Sequence, residues 1–141
     1  MVTTVAVGVD GSATAAEAVK MAAEVARRFE AELVLLSAYK HPDDKGPGHG
    51  GDPELEWATS SSSRQREVVA RTEARLRQEG VRCRALAEEG NPADVLVRLA
   101  KQCGADILVV GNKGMQRRVL GSVPNAVTHK ADCSVLVVKT T

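Results

Sequence analysis

Thr4-Val5-Ala6-Val7-Gly8-Val9, closed by Asp10-Gly11-Ser12 and followed by Thr14-Ala15-Ala16-Glu17-Ala18-Val19, is the stretch from which the fold can be read. The first part is short, apolar and β-branched, the composition of a strand buried on both faces and ending in a tight loop. The second part changes period. Thr14-x-x-Glu17 has the form of a capping box, and Ala15, Ala18, Val19, Ala22, Val25, Ala26 and Phe29 recur at three- and four-residue steps along one stripe. A buried strand that turns into an amphipathic helix is the first half of a βαβ unit.

The same alternation continues outward. Leu33 to Tyr39 reads as a second strand. Residues 41–63 carry Pro42, Pro47, Gly48, Gly50, Gly51 and Pro53 and end in a serine run, Ser60 to Ser63, so most of this segment is expected to be a mobile loop. Arg64 to Glu79 alternates charge around a thin stripe of Val68, Val69, Thr72 and Leu76, as in a solvated helix that touches a sheet on one side, and Gly80 ends it. Val81 to Ala87, with Arg82 and Arg84, reads as a strand near a sheet edge. Asn91-Pro92 starts a helix, since Asn accepts a bond from an orphan N–H and Pro in the first turn has no donor to waste. Leu96, Leu99, Ala100 and Cys103 face inward from it. Ile107 to Val110 is a further buried strand closed by Gly111, Ser122 caps a last helix with Pro124 in its first turn, and Val135 to Val138 is the final strand.

The order is βαβαβαβαβ with no internal repeat. Strands separated by helices run parallel through right-handed crossovers, which predicts an α/β fold: a three-layer, five-stranded parallel sheet in a single domain over residues 1–141. A doubly wound order of 3-2-1-4-5 leaves a crevice outside the carboxyl ends of the first and fourth strands. The residues leaving those strands are Asp10-Gly11-Ser12 and Gly111-Asn112-Lys113-Gly114, both rich in glycine and polar groups. Topology and composition therefore select one place.

Composition excludes several classes of function. The 141 residues are 43% hydrophobic, enough for a core that buries roughly two thirds of the unfolded surface without metal or disulfide. Nineteen Lys and Arg against 18 Asp and Glu leave a net charge of +1, and Trp57, Tyr39 and Phe29 are the only aromatic residues. Neither a global field nor a stacking platform marks the chain for nucleic acid. No apolar run is long enough to span a membrane and no signal-peptide core is present, so a cytoplasmic location is expected. Cys83, Cys103 and Cys133, widely spaced and without neighbouring histidine, are expected to fill the core rather than to bind metal.

Two chemistries meet at the crevice. Gly111 and Gly114 would let the backbone turn sharply with exposed N–H groups, and Gly121-Ser122 places free amides and a hydroxyl at a helix start, with Lys113, Arg117 and Arg118 nearby. Together they suit a phosphate. The same glycines also read as strand-to-helix punctuation, Ser122 as an ordinary cap and the bases as a solvated face. Asp10 is placed to accept from a ribose hydroxyl, or simply to close a turn and cap a helix. Gly46-Pro47-Gly48-His49-Gly50-Gly51 matches G-x-G-x-x-G but follows no strand directly and opens no helix, and no Walker sequence is present. His41, His49 and His129 form no arrangement suited to nucleophilic or acid–base catalysis, so no catalytic residue is assigned.

Val7-Gly8-Val9-Asp10-Gly11-Ser12, Gly90-Asn91-Pro92-Ala93-Asp94-Val95-Leu96, Ala105-Asp106-Ile107-Leu108-Val109-Val110-Gly111 and Gly121-Ser122-Val123-Pro124 together resemble the universal stress protein family across the whole chain. The resemblance implies an adenine nucleotide alpha hydrolase-like fold, commonly dimeric, with an ATP-binding branch marked by G-x2-G-x9-G-(S/T). Carried over by position, the nucleotide would be held by Gly8, Val9 and Asp10, by Ala38, and by Gly111, Lys113, Gly114, Gly121, Ser122 and Val123. Here only six residues, Met115 to Leu120, separate Gly114 from Gly121. The three missing residues amount to about 4.5 Å of helix rise, which threatens triphosphate contacts more than adenine and ribose contacts.

The resulting expectation is an adenine-nucleotide-binding stress-response regulator that signals through nucleotide-dependent partner contacts. ATP, with or without Mg2+, comes first and AMP or cyclic AMP are the alternatives; slow ATP hydrolysis is left open. The rival is a dimeric interaction module that binds no nucleotide. Under either reading the apolar Cys133 to Val138 strand at the sheet end calls for a homodimer partner.

Overall fold

A strand buried on both faces needs a layer on each, and the central strand obtains both. The computed structural model describes residues 1–10, 12–39, 62–112 and 120–139. In chain order the elements are β1 (Thr4–Gly8), α1 (Ala13–Phe29), β2 (Glu32–Tyr39), α2 (Ser62–Gln78), β3 (Cys83–Glu89), α3 (Pro92–Gln102), β4 (Ile107–Asn112), α4 (Ser122–Lys130) and β5 (Ser134–Lys139). The five strands form one parallel sheet in the order β3-β2-β1-β4-β5, as expected. Val7 is opposite Leu35 on one side and Val109 on the other.

Because successive strand residues point to opposite faces, the sheet feeds two cores. Val5, Val7, Leu33, Leu35 and Val109 pack with the alanine stripe of α1 and with Val69 and Leu76 of α2. Ala6, Val34, Leu36, Leu108 and Val110 pack with Val95, Leu96 and Leu99 of α3 and Val127 of α4.

Several local expectations are corrected. Ser12, not Thr14, caps α1: its Oγ accepts from the Ala15 N–H at 3.1 Å. Phe29 does not face the core and is 52% exposed. It lies in the last turn of α1 beside Arg27 and Arg28, while Ala26 and Ala31 fill the core at that end of the helix. The chain then reverses at Glu30, in the left-handed region at φ 55°, with its N–H bonded to the Ala26 and Arg27 carbonyls. The second helix begins at Ser62, two residues before the charge pattern suggests, and the third strand is Cys83–Glu89 rather than Val81 to Ala87. Arg82 therefore precedes that strand and donates to the Glu30 carbonyl, while Arg84 pairs with Glu32 across the edge at 3.0 Å. Residues 41–61 of the expected loop, with His41, His49 and the glycine-rich decoy, lie outside the described residues.

Of the three thiols, Cys83 is buried and Cys103 and Cys133 are half-buried, all packed against the cores. Burial pushes the Cys83 thiol up to about 11. Asn91 caps α3 as expected, its Oδ1 accepting from Ala93 and Asp94 N–H groups at 3.1 and 3.4 Å. At the amino ends of the strands Asp106 ties β4 to β1, accepting from the Thr3 and Thr4 N–H groups at 2.8 and 3.0 Å. Those two donors hold its carboxyl below the ordinary value of 3.8.

Two outcomes follow. Asn91→Ala should destabilise the protein by about 1 kcal/mol in urea unfolding, the usual worth of such a cap. The contribution of Asp106 is complete above the ordinary aspartate range and is lost as pH falls through its lowered folded-state value. An Asp106→Asn variant should therefore be less stable at neutral pH yet lose less on acidification, in unfolding curves recorded from pH 7 to pH 2.

Candidate functional site

The crevice is built where β1 and β4, neighbours in the sheet, send their chains to opposite faces. Val9 continues past β1 with its N–H bonded to the Leu36 carbonyl at 2.8 Å and is 7% exposed. Asp10 then closes a turn: its Oδ1 accepts from the Ser12 N–H at 2.8 Å, and Ser12 in turn caps α1. The turn reading of Asp10 is thus realised, and the half-buried carboxylate stands at the mouth of the crevice. Gly8 packs against Leu96, where an added Cβ would come within 3.1 Å of Leu96 Cδ1.

Gly111 does not turn the chain. It lies within β4, which continues to Asn112. A Cβ on Gly111 would stand 2.6 Å from Thr14 Cγ2 and 2.7 Å from the Thr14 carbonyl oxygen, so only glycine allows β4 to touch the first turn of α1. That contact brings the two loops together. Asn112 is fully buried, and its Oδ1 accepts from the Gly121 N–H at 2.8 Å. It thereby pins the start of α4 to the end of β4 across the glycine loop.

Gly121, rather than Ser122, is the N-cap of α4, and among the described residues no side chain caps that helix. Ser122 is its first residue and exposed, Val123 is half-buried against the second core, and Pro124 is buried. Among the described residues the Ser122 and Val123 amides are therefore left without an intrahelical or side-chain acceptor, the arrangement that suits an anion. Ala38 is 8% exposed in β2, two strands from β4 on the adenosine side of the expected site. Lys113 and Gly114, with Gly11, Arg117 and Arg118, lie outside the described residues. His129 is in the last turn of α4, at the far end from the crevice. Among the described residues no three His, Cys, Asp or Glu side chains cluster as metal ligands, and no helix is long and apolar enough to cross a membrane.

A cavity of about 90 Å³ opens beside the crevice between α1 and α2, lined by Val9, Ser12, Val19, Val68, Thr72 and Arg75 among others. The sequence reading missed Asn112 and Thr14. Asn112 had a signal, a lone amide at the end of an apolar strand that sits between two glycines of the loop. Thr14 had none, because its role is set by how closely α1 lies on β4.

Comparison with known proteins bears on this geometry. The family model described as the universal stress protein family matches residues 1–139. A universal stress protein of Mycobacterium tuberculosis is 36% identical over 147 aligned positions, covering 98% of this chain and 97% of its own. A solved universal stress protein in complex with cyclic AMP is 31% identical, with a TM-score of 0.76 and 99% of each chain covered. A family member from Arabidopsis thaliana, solved with AMP bound, is 23% identical and shares the fold at a TM-score of 0.74 over 99% of this chain and 92% of its own. With its sheet order, its crevice at β1 and β4 and a family match along nearly its whole length, this chain belongs to the universal stress protein family.

Proposed function

We propose that the chain binds an adenine nucleotide in the crevice at the carboxyl ends of β1 and β4 and regulates partner contacts by its occupancy. The observation that carries this reading is the start of α4, which no described side chain caps and which Asn112 holds against the end of β4, next to the Gly111–Thr14 contact with α1. Adenosine would rest on Gly8, Val9 and Ala38 with Asp10 toward the ribose. The phosphate would take the amides of Ser122 and Val123, with Gly121, whose own N–H is held by Asn112, and Gly111 and Gly114 leaving room for it and Lys113 adding charge.

Among the nucleotides considered, a single phosphate is favoured over a triphosphate. The spacer from Gly114 to Gly121 is short, and the relative at 31% identity was solved with cyclic AMP. ATP with Mg2+ remains the competitor in the assay. No residue in the crevice is assigned to position water, so binding rather than hydrolysis is the proposed activity.

Thermal unfolding with cyclic AMP, AMP and Mg-ATP at millimolar concentration tests this directly. Ligand at 100 times its Kd adds about 2.7 kcal/mol, a rise of several degrees for a domain of this size. The rise should disappear in Asp10→Ala, measured against that variant's own ligand-free Tm, which falls with the loss of the bond to the Ser12 N–H; no rise in wild type with any of the three would overturn the proposal. A homodimer through β5 is the second part of the reading, because Val135, Leu136 and Val137 are only partly buried on that edge strand. Light scattering at micromolar concentration should give twice the chain mass, and a monomer would refute it.

A further inference from the structure

Four N–H positions open α4 without intrahelical acceptors, those of Gly121, Ser122, Val123 and Pro124, and each can be accounted for. The first helical bond runs from the Asn125 N–H to the Gly121 carbonyl at 2.9 Å. Pro124 has no N–H to satisfy. The Gly121 N–H donates to Asn112 Oδ1 at 2.8 Å. Ser122 and Val123 remain as two adjacent amides with no side-chain acceptor among the described residues.

This anchor differs from the caps of α1 and α3. Ser12 and Asn91 accept from amides inside the first turns of their own helices, at Ala15 and at Ala93 and Asp94, and so use up those donors. Asn112 reaches over from β4 and bonds one position earlier, at the N-cap itself, so it fixes α4 while leaving the first-turn pair. Its side chain is fully buried, and its oxygen is the atom nearest to a Cβ built on Gly121, at 3.3 Å, so the contact has little room to shift.

We propose that Asn112 is the positioning residue for the phosphate and that its neutrality sets the charge preference of the crevice: the uncharged amide holds Gly121 so that Ser122 and Val123 present two donors to one phosphoryl group. The proposal rests on the nucleotide-binding reading above and deepens it. Asn112→Asp keeps the shape and still accepts from the Gly121 N–H, but it sets a full negative charge within roughly 6 to 8 Å of an anion on the next two amides. The anchor survives and the ligand is repelled.

Calorimetric titration of the full chain with adenosine, cyclic AMP and AMP at pH 8 tests it. Wild type should bind both nucleotides more tightly than the nucleoside. Asn112→Asp should lose roughly ten- to a hundredfold in cyclic AMP affinity, and more in AMP, whose phosphate carries a second charge, while adenosine affinity stays within about twofold. Burial raises the pKa of the introduced carboxyl, so at pH 5.5 it is protonated and the cyclic AMP affinity should return to that of wild type at the same pH. Asp10 and Lys139, which is paired opposite Asn112 on β5, are present in both proteins and are controlled by that comparison. Asn112→Ala, which removes the acceptor without adding charge, should narrow the gap between cyclic AMP and adenosine, and it decides the matter if Asn112→Asp does not fold. Equal losses for adenosine and cyclic AMP, a loss in Asn112→Asp that acidification does not reverse, or an unchanged gap in Asn112→Ala would each overturn the proposal. Failure of wild type to bind any of the three would instead remove the nucleotide-binding reading on which it stands.

Discussion

β1 has no face in water and no free edge. It is hydrogen-bonded to β2 and β4, and its alternate side chains enter two separate cores. Everything else is arranged to satisfy that condition: helices must lie on both faces, and the connections must pass to one face before β3 and to the other after it. The winding reversal that follows opens the crevice, so burial of the central strand and formation of the site have one cause.

The site depends on how closely layers approach. Small alanines along α1 let the helix lie near the sheet, and the missing Cβ at Gly111 lets β4 meet its first turn. Asn112 spends its buried side chain on the Gly121 N–H, which fixes where α4 begins. Asp10 and Ser12 do the same for α1 through a turn and a cap. Structural bonds thus occupy some of the polar groups that a nucleotide reading assigns to the crevice. They preorganise it, and among the described residues the Ser122 and Val123 amides are left without a side-chain acceptor.

Element order, strand order and the place of the crevice were legible in the chain because they rest on periodicity and on the handedness of crossovers, which are local or general. Asn91 and Gly80 were legible as punctuation for the same reason, and the structure keeps both, with Gly80 at φ 83°. Misreadings concern positions where two local signals compete or where a neighbour decides. Ser12 and Thr14 both precede an apolar run, and only the Asp10 turn selects Ser12 as the cap. Gly111 reads as a turn in sequence, but pairing with β5, which sets Gly111 opposite Val138, extends β4 through it.

By itself, then, the sequence determined which residues form strands and helices, which faces of them are apolar and in what order they follow one another. Those properties are set by side-chain chemistry at spacings of two and of three or four residues. Only the tertiary structure decided that Gly111 is a point of contact with Thr14, that Asn112 holds Gly121 and that Gln65 is buried. Each depends on distances between elements far apart in the chain, set by the packing of both layers against one sheet.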